Sequence, residues 1–377
     1  MGETARVPDF LTPELLDWRE RATRLASERL LRLREDVTLD ERERRRAVVV
    51  ASREAGLYGL TQPSEDATPP SALTMLVVRE ALAAAGCGGL RGVFGDGPGV
   101  LAGVGEPLRS SHLVPMLAGE LRAGFAFTEP SDAPRPTWAR IDGDELVITG
   151  QKSYVTGGAD ADFLTATVEV QGEGPAMVVV DTDRRGVRLL RRFASFDGSH
   201  HAAFAFDEVR VPRSYVLGRS GEGRGRALER ISEVRRVIAA DCTGTAMWVL
   251  ELLAAHLVTP RPDGRVPGDL ERARLRYGDL RVKVYAARSM VYRTARLTDA
   301  GHNVVNESMA AKLFASEVAN EVVDGAIQLV GGEALVQGHP LEQVMRRLRT
   351  LRLAEGESDV LRVNVARGLL DLGQGRV

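Results

Sequence analysis

The sequence predicts an α+β fold in three parts: an N-terminal helical domain over residues 1–121, a small β-barrel over 122–226 and a C-terminal helical bundle over 227–377. Three observations predict it. Apolar residues recur at the helical period in the first third. Short strand-like runs broken by turns fill the middle, and long uninterrupted helical patterns fill the last part.

In the first part, Leu15, Trp18, Ala22, Leu25, Leu30 and Leu31 follow the helical period, and Ala81 to Ala85 add a small-residue packing face. Pro69-Pro70 and the glycines between Gly86 and Gly103 interrupt it. In the middle, Leu146-Val147-Ile148, residues 163–168, Met177 to Val180 and residues 203–206 read as strands, and Asp142-Gly143-Asp144 reads as a hairpin turn. The glycine-rich run from Gly218 to Gly225 lacks the strand and helix context of a dinucleotide fingerprint, so it reads as a connector. In the last part, Val237 to Val258, Leu270 to Asp299 and Met309 to Val330 are helical, and Thr259 to Gly264 forms a loop between helices.

Composition narrows the function. A net charge of -2 over 377 residues gives no basic surplus for nucleic acid or anionic membranes. The cations are nearly all arginine, since Lys152, Lys283 and Lys312 are the only lysines. Cys87 and Cys242 stand far apart in apolar surroundings, which fits a reducing cytoplasm and neither a disulfide framework nor a metal site. The six histidines are scattered, so no metal is expected. No signal peptide or membrane span is expected either.

Glu355 carries the chemistry. It lies between an apolar stretch and a short helical pattern and is followed at once by Gly356, a setting for an acid at the lip of a buried space, where a general base belongs. With Phe127-Thr128-Glu129-Pro130, Thr149-Gly150-Gln151-Lys152, Phe206 to Pro212, Gln328 to Gly332 and Ala354-Glu355-Gly356, the chain resembles the acyl-CoA dehydrogenase family over nearly its whole length.

That resemblance implies FAD, a C-terminal four-helix bundle and an oligomer, a tetramer in the family's usual form. Glu355 would remove the α-proton of an acyl thioester, on CoA or a carrier protein, while the β-hydrogen leaves as hydride to flavin N5. Phe127, Thr128 and Thr156 would meet the polar edge of the flavin ring, with Tyr154 as an aromatic wall. Gln328, Gly331 and Gly332 would lie at the adenosine half of FAD, where a neighbouring subunit reaches over. Arg235, Ala354 and Gly356 would be substrate contacts, Arg235 near the CoA moiety. Ala354, at a position that is often a bulky aromatic, would leave room for a wide or branched acyl group such as a polyketide. Electrons would pass to an electron-transfer flavoprotein. Glu233 is a second choice for the base.

Several segments depart from the family pattern. Ser131 to Pro136 replaces a glycine-rich phosphate segment, residues 259–268 lack the expected diphosphate arginine with Arg261 and Arg265 as substitutes, Glu357 replaces a threonine, and the loop at Glu65 to Pro70 is compressed. These changes fit a cofactor-sharing or catalytically silent subunit of a heteromeric dehydrogenase as an alternative. A flavin monooxygenase on the same fold is a further alternative, opposed by Glu355.

Overall fold

A computed structural model describes residues 8, 10–62, 70–219, 221 and 223–377. The compressed loop at 65–69 and Ser220 and Glu222 of the glycine-rich run lie outside the described residues. The chain divides into two compact units, Met1–Gly95 with Ser232–Val377, and Asp96–Ile231.

The first unit is helical. Helix α1 (Pro13–Leu25) starts where the Thr12 hydroxyl accepts the Leu15 amide and Pro13 occupies the first turn. After a wider turn at Ala26–Leu30, α2 (Leu31–Glu35) follows. Helix α3 (Glu41–Glu54) opens on a reciprocal Asp40 and Glu43 capping box, and α4 (Ala72–Leu82) on the Ser71 hydroxyl. The C-terminal part supplies α7 (Glu271–Asp299), α8 (Val305–Val330), α9 (Pro340–Leu351) and α10 (Ser358–Leu370), together with most of α6 (Gly223–Val258).

The N-terminal helices do not form a domain of their own. Leu11, Leu15, Leu76 and Val77 share one core with Ile238, Val249 and Leu253 of α6, Leu280 and Val284 of α7 and Val322 of α8. Helices α1 and α4 bury a second set of side chains, Ala22, Leu25, Val78 and Leu82, against Val48 and Ala51 of α3 in a core of their own, so they serve two cores at once. Residues 227–258 form a helix long and apolar enough by composition to cross a membrane, contrary to the sequence expectation. Most of its apolar side chains are buried in the unit's core, which accounts for its composition without a bilayer.

The second unit holds α5 (Val114–Ala118) and seven strands: β1 (Ala123–Ala126), β2 (Trp138–Asp142), β3 (Glu145–Thr156), β4 (Phe163–Val170), β5 (Gly174–Asp181), β6 (Val187–Ala194) and β7 (His200–Pro212). They make one sheet in the order β1-β4-β2-β3-β7-β6, with β5 pairing β4. Val100, Leu101, Leu108 and Met116, expected in the N-terminal domain, pack here against Phe163, Met177 and Val179. The Gly143-Asp144 turn joins β2 to β3 as expected, with Asp142 opposite Glu145 and Gly143 at φ 61°.

One irregularity of this sheet positions functional side chains. Between the pairs Lys152 with Phe204 and Val155 with Ala202, β3 advances three residues while β7 advances two. The extra residue is a bulge, and it turns Tyr154 outward at φ 52° while Lys152 and Val155 remain buried.

Candidate active site

Site residues lie in both units, and each set has its own support. In the strand unit, Phe127 and Thr128 follow β1, and Tyr154 and Thr156 end β3. The Ser153 amide donates to the Thr128 carbonyl at 2.9 Å, which ties the two stretches together. All four side chains are at the surface, and Tyr154 is 64% exposed. The Tyr154 ring meets Phe193 edge-on at 5.3 Å, and the Thr156 hydroxyl lies 3.2 Å from His201 Nδ1.

Behind them is an ion pair that motif reading quoted without giving it a task. Lys152, 1% exposed, donates to Glu129 Oε1 at 2.9 Å, to the Thr167 hydroxyl at 2.9 Å and to the Phe127 carbonyl at 3.4 Å. Glu129 Oε1 also accepts the Thr137 amide at 2.7 Å. Burial pushes the Glu129 carboxyl up, but the hydrogen bonds from Lys152 and Thr137 outweigh it and hold it below the usual range. Burial pulls the Lys152 ammonium down despite Glu129. The Glu-Pro and Gln-Lys motifs thus meet as a brace for the loop that carries Phe127 and Thr128.

In the helical unit, Glu355 sits in the turn between α9 and α10, half-buried, with φ 55°. Among the described residues only Tyr154, Glu208 and Glu355 are non-glycine residues with left-handed backbone. Two of the three were chosen from sequence as site residues. Such a conformation costs on the order of 1–3 kcal/mol and persists only where surrounding contacts impose it.

Those contacts are two buried cations. Arg235 of α6 is 7% exposed and donates Nε to the Glu355 carbonyl at 2.9 Å. Lys312 of α8 is fully buried and donates Nζ to the carbonyls of Gly356 at 2.8 Å and Arg352 at 3.1 Å, on either side of Glu355. The turn is therefore held from both flanks. Burial lowers the proton affinity of Arg235, and the charge of Glu355 opposes that shift. Burial brings Lys312 down to about 8, with Cys242 and Glu355 opposing and Arg235 and Arg352 adding to the fall.

Gly356 has φ 108°, and a Cβ there would lie 2.9 Å from Leu361 Cδ2 and 3.4 Å from Arg235 Nη2. Ala354 is half-buried against the helical core. Arg235 is thus an inward anchor of the Glu355 turn, not a solvent-facing residue at a helix start. Gln328 and Gly332 are exposed at the end of α8, and Gly331, at φ 100°, has open space where a Cβ would stand. Glu357 caps α10 without a side-chain hydrogen bond, and Asp359 pairs with Arg362 at 3.0 Å. Arg261 and Arg265 lie in an exposed turn closed by the Arg261 amide on the Arg265 carbonyl at 2.8 Å. Cys87 and Cys242 are free and buried, and the described residues contain no group of metal-binding side chains.

Comparison with known proteins agrees with this architecture. Residues 221–370 match the family described as acyl-CoA dehydrogenase, C-terminal domain. A Bacillus subtilis protein named probable acyl-CoA dehydrogenase YngJ is 30% identical over 276 residues, 70% of this chain and 73% of its own. The 3-(aryl)acrylate reductase of Clostridium sporogenes is 26% identical over 340 residues, 86% of this chain and 90% of its own. A crystal structure of a probable acyl-CoA dehydrogenase from Mycobacterium abscessus superposes with TM-score 0.78 at 25% identity, covering 94% of this chain and 98% of that one. The chain belongs to the acyl-CoA dehydrogenase family, FAD-dependent oxidoreductases that act on CH–CH groups.

The ring-side residues fit such a cofactor. Ser153 Oγ is buried without a hydrogen-bond partner beside an exposed aromatic side chain and two surface threonines, a set suited to a planar, polar-edged ring. The altered diphosphate segments show no comparable set among the described residues.

Proposed function

We propose that this protein catalyses FAD-dependent α,β-dehydrogenation of an acyl thioester, with Glu355 as the base that takes the α-proton. The observation that carries the reading is the fixed left-handed turn at Glu355, braced by Arg235 and Lys312. An unbraced surface glutamate would relax to ordinary backbone. FAD supplies the hydride acceptor. Phe127, Thr128, Tyr154 and Thr156 hold the ring, and Lys152 with Glu129 keeps the Phe127–Thr128 loop in place.

Proton abstraction needs an ionised, localised carboxylate. The attraction of Arg235 and Lys312 supplies charge complementarity, and their bonds to carbonyls fix the turn so that little reorganisation is needed during proton transfer. The backbone N–H of Glu355 is the donor proposed for the thioester oxygen, where negative charge develops. Gln328, Gly331 and Gly332 serve the adenosine half of FAD in an assembly of subunits, and an electron-transfer flavoprotein takes the electrons. Free, buried thiols fit a cytoplasmic setting.

The test is the visible spectrum of protein purified without added flavin, followed by anaerobic addition of acyl-CoA thioesters. Bound flavin that bleaches on addition supports the reading. Protein that takes up no FAD even in excess contradicts it and favours the cofactor-sharing or silent subunit, for which the changed diphosphate segments are the motivation.

A further inference from the structure

The helical unit contains a cavity of about 160 Å³ whose walls include Arg79, Leu82, Leu90, Arg91, Phe94 and Asp241. Asp241 is half-buried, and the surface it keeps faces this cavity. It stands on α6 in an otherwise apolar stretch from Val237 to Ala240, the same helix that sends Arg235 to Glu355. Its neighbour Cys242 acts electrostatically on Lys312, which brackets Glu355. The opposite wall is also tied to α9, which leads into the Glu355 turn: Gly88 and Gly89 lie so close to Arg347 that a Cβ on either would fall 2.9 and 2.4 Å from its guanidinium nitrogens.

The Asp241 carboxyl has no hydrogen bond or ion pair among the described residues. Burial pushes its proton affinity up, against the attraction of Arg79 and Arg347. A half-buried carboxyl on a cavity wall, with no protein hydrogen bond, gives up part of its hydration, and an apolar side chain there would avoid that cost. The cavity therefore keeps a polar acceptor at a cost to stability, which is the signature of a ligand site.

Charge decides what fits. Arg79 lies with its guanidinium carbon 4.2 Å from the Phe94 ring centre and brings donors, Arg91 lies on the wall with its charge shared with Glu41 at 3.9 Å, and Asp241 brings an acceptor. An anionic group would be repelled by Asp241, and a cationic group by the arginines. A neutral hydroxyl donates to the carboxylate and accepts from an arginine. In size, a cavity of about 150 Å³ holds a benzene ring.

Building on the proposed thioester chemistry, we propose that this cavity receives the far end of the acyl group, that the end is a ring-sized unit bearing a hydroxyl, and that Asp241 determines this preference. The probes are 3-(4-hydroxyphenyl)propanoyl-CoA and 3-phenylpropanoyl-CoA, with dissociation constants measured by anaerobic calorimetry on holoenzyme whose flavin is reduced beforehand, so that neither thioester is turned over.

Wild type should bind the hydroxylated thioester about tenfold more tightly, Asp241→Asn should keep the preference because its amide oxygen still accepts, and Asp241→Leu should abolish or reverse it. Asp241→Leu should also melt higher than wild type, which separates lost recognition from misfolding. Tight binding of both thioesters with no preference, or a preference that survives Asp241→Leu, overturns this inference while leaving the dehydrogenase reading intact. Failure to bind any acyl thioester defeats both.

Discussion

Replacing Lys312 with methionine separates the two tasks assigned to that side chain. Its Nζ is fully buried and bridges the carbonyls of Arg352 and Gly356. Burial takes it from 10.5 to about 8, which corresponds to roughly 3 kcal/mol of penalty for the charged form. The sign follows from proton counts. Between about pH 8 and 10.5 the unfolded chain holds the lysine proton and the folded chain does not, so this group makes stability rise with pH across that window. Below about pH 8 both states are protonated and the full penalty applies.

Methionine removes the penalty but leaves two carbonyls without their donor, at about 1–3 kcal/mol each. The two effects largely cancel at pH 7, so Lys312→Met should shift stability there by no more than about 3 kcal/mol. The pH response should change more distinctly: relative to the variant, wild type should gain about 3 kcal/mol between pH 7.5 and 10.5, read from urea unfolding at each pH. Flavin reduction by a thioester should fall at least tenfold in the variant because the Glu355 turn loses its brace, and Lys312→Arg should restore part of it. Parallel pH profiles for wild type and Lys312→Met would refute the assignment of a destabilised buried ammonium. Unchanged flavin reduction would refute its part in holding the turn.

Two further predictions concern stability and the shape of the turn. Glu80, 5% exposed, accepts from Arg288 Nη2 at 2.7 Å and Nε at 3.0 Å, Tyr292 at 2.9 Å and Thr243 at 3.2 Å, so Glu80→Ala should strip a half-buried guanidinium of its carboxylate and cost about 3 kcal/mol in urea unfolding. Gly356→Ala, which meets both φ 108° and a 2.9 Å approach to Leu361, should cost about 1–3 kcal/mol and slow thioester-driven bleaching more than it weakens thioester binding; equal stability and rate would remove Gly356 from the account.

The three-part texture of the sequence corresponds to real elements. The hairpin at Asp142 to Asp144 and the helices ending at Val258, Asp299 and Val330 follow from local turn chemistry and periodicity. The division into units was not legible, because whether Leu15 and Leu76 pack among themselves or on α6 is a tertiary choice that periodicity does not encode. Helix α6 begins at Gly223, well before Val237, since its context overrides the low helix propensity of Gly223 and Gly225.

At the site, Glu355 and Tyr154 are chosen through their motifs, but the bulge that exposes Tyr154 arises from register with β7 and leaves no local signal. Lys312 and Asp241 had a signal that went unread: each is a lone ionisable residue in a run of small and apolar side chains, where helix periodicity places it inside. Arg235 came from the family pattern with a substrate contact in view, while the structure shows its bond to the Glu355 carbonyl.

The most direct measurement is single-turnover flavin reduction by an acyl thioester in Glu355→Gln, compared anaerobically with wild type at equal flavin content. Glutamine preserves the shape of the turn but cannot take a proton. Retained FAD and thioester binding with reduction slowed by about 10²–10⁴ is the predicted result. Reduction at the wild-type rate would contradict it.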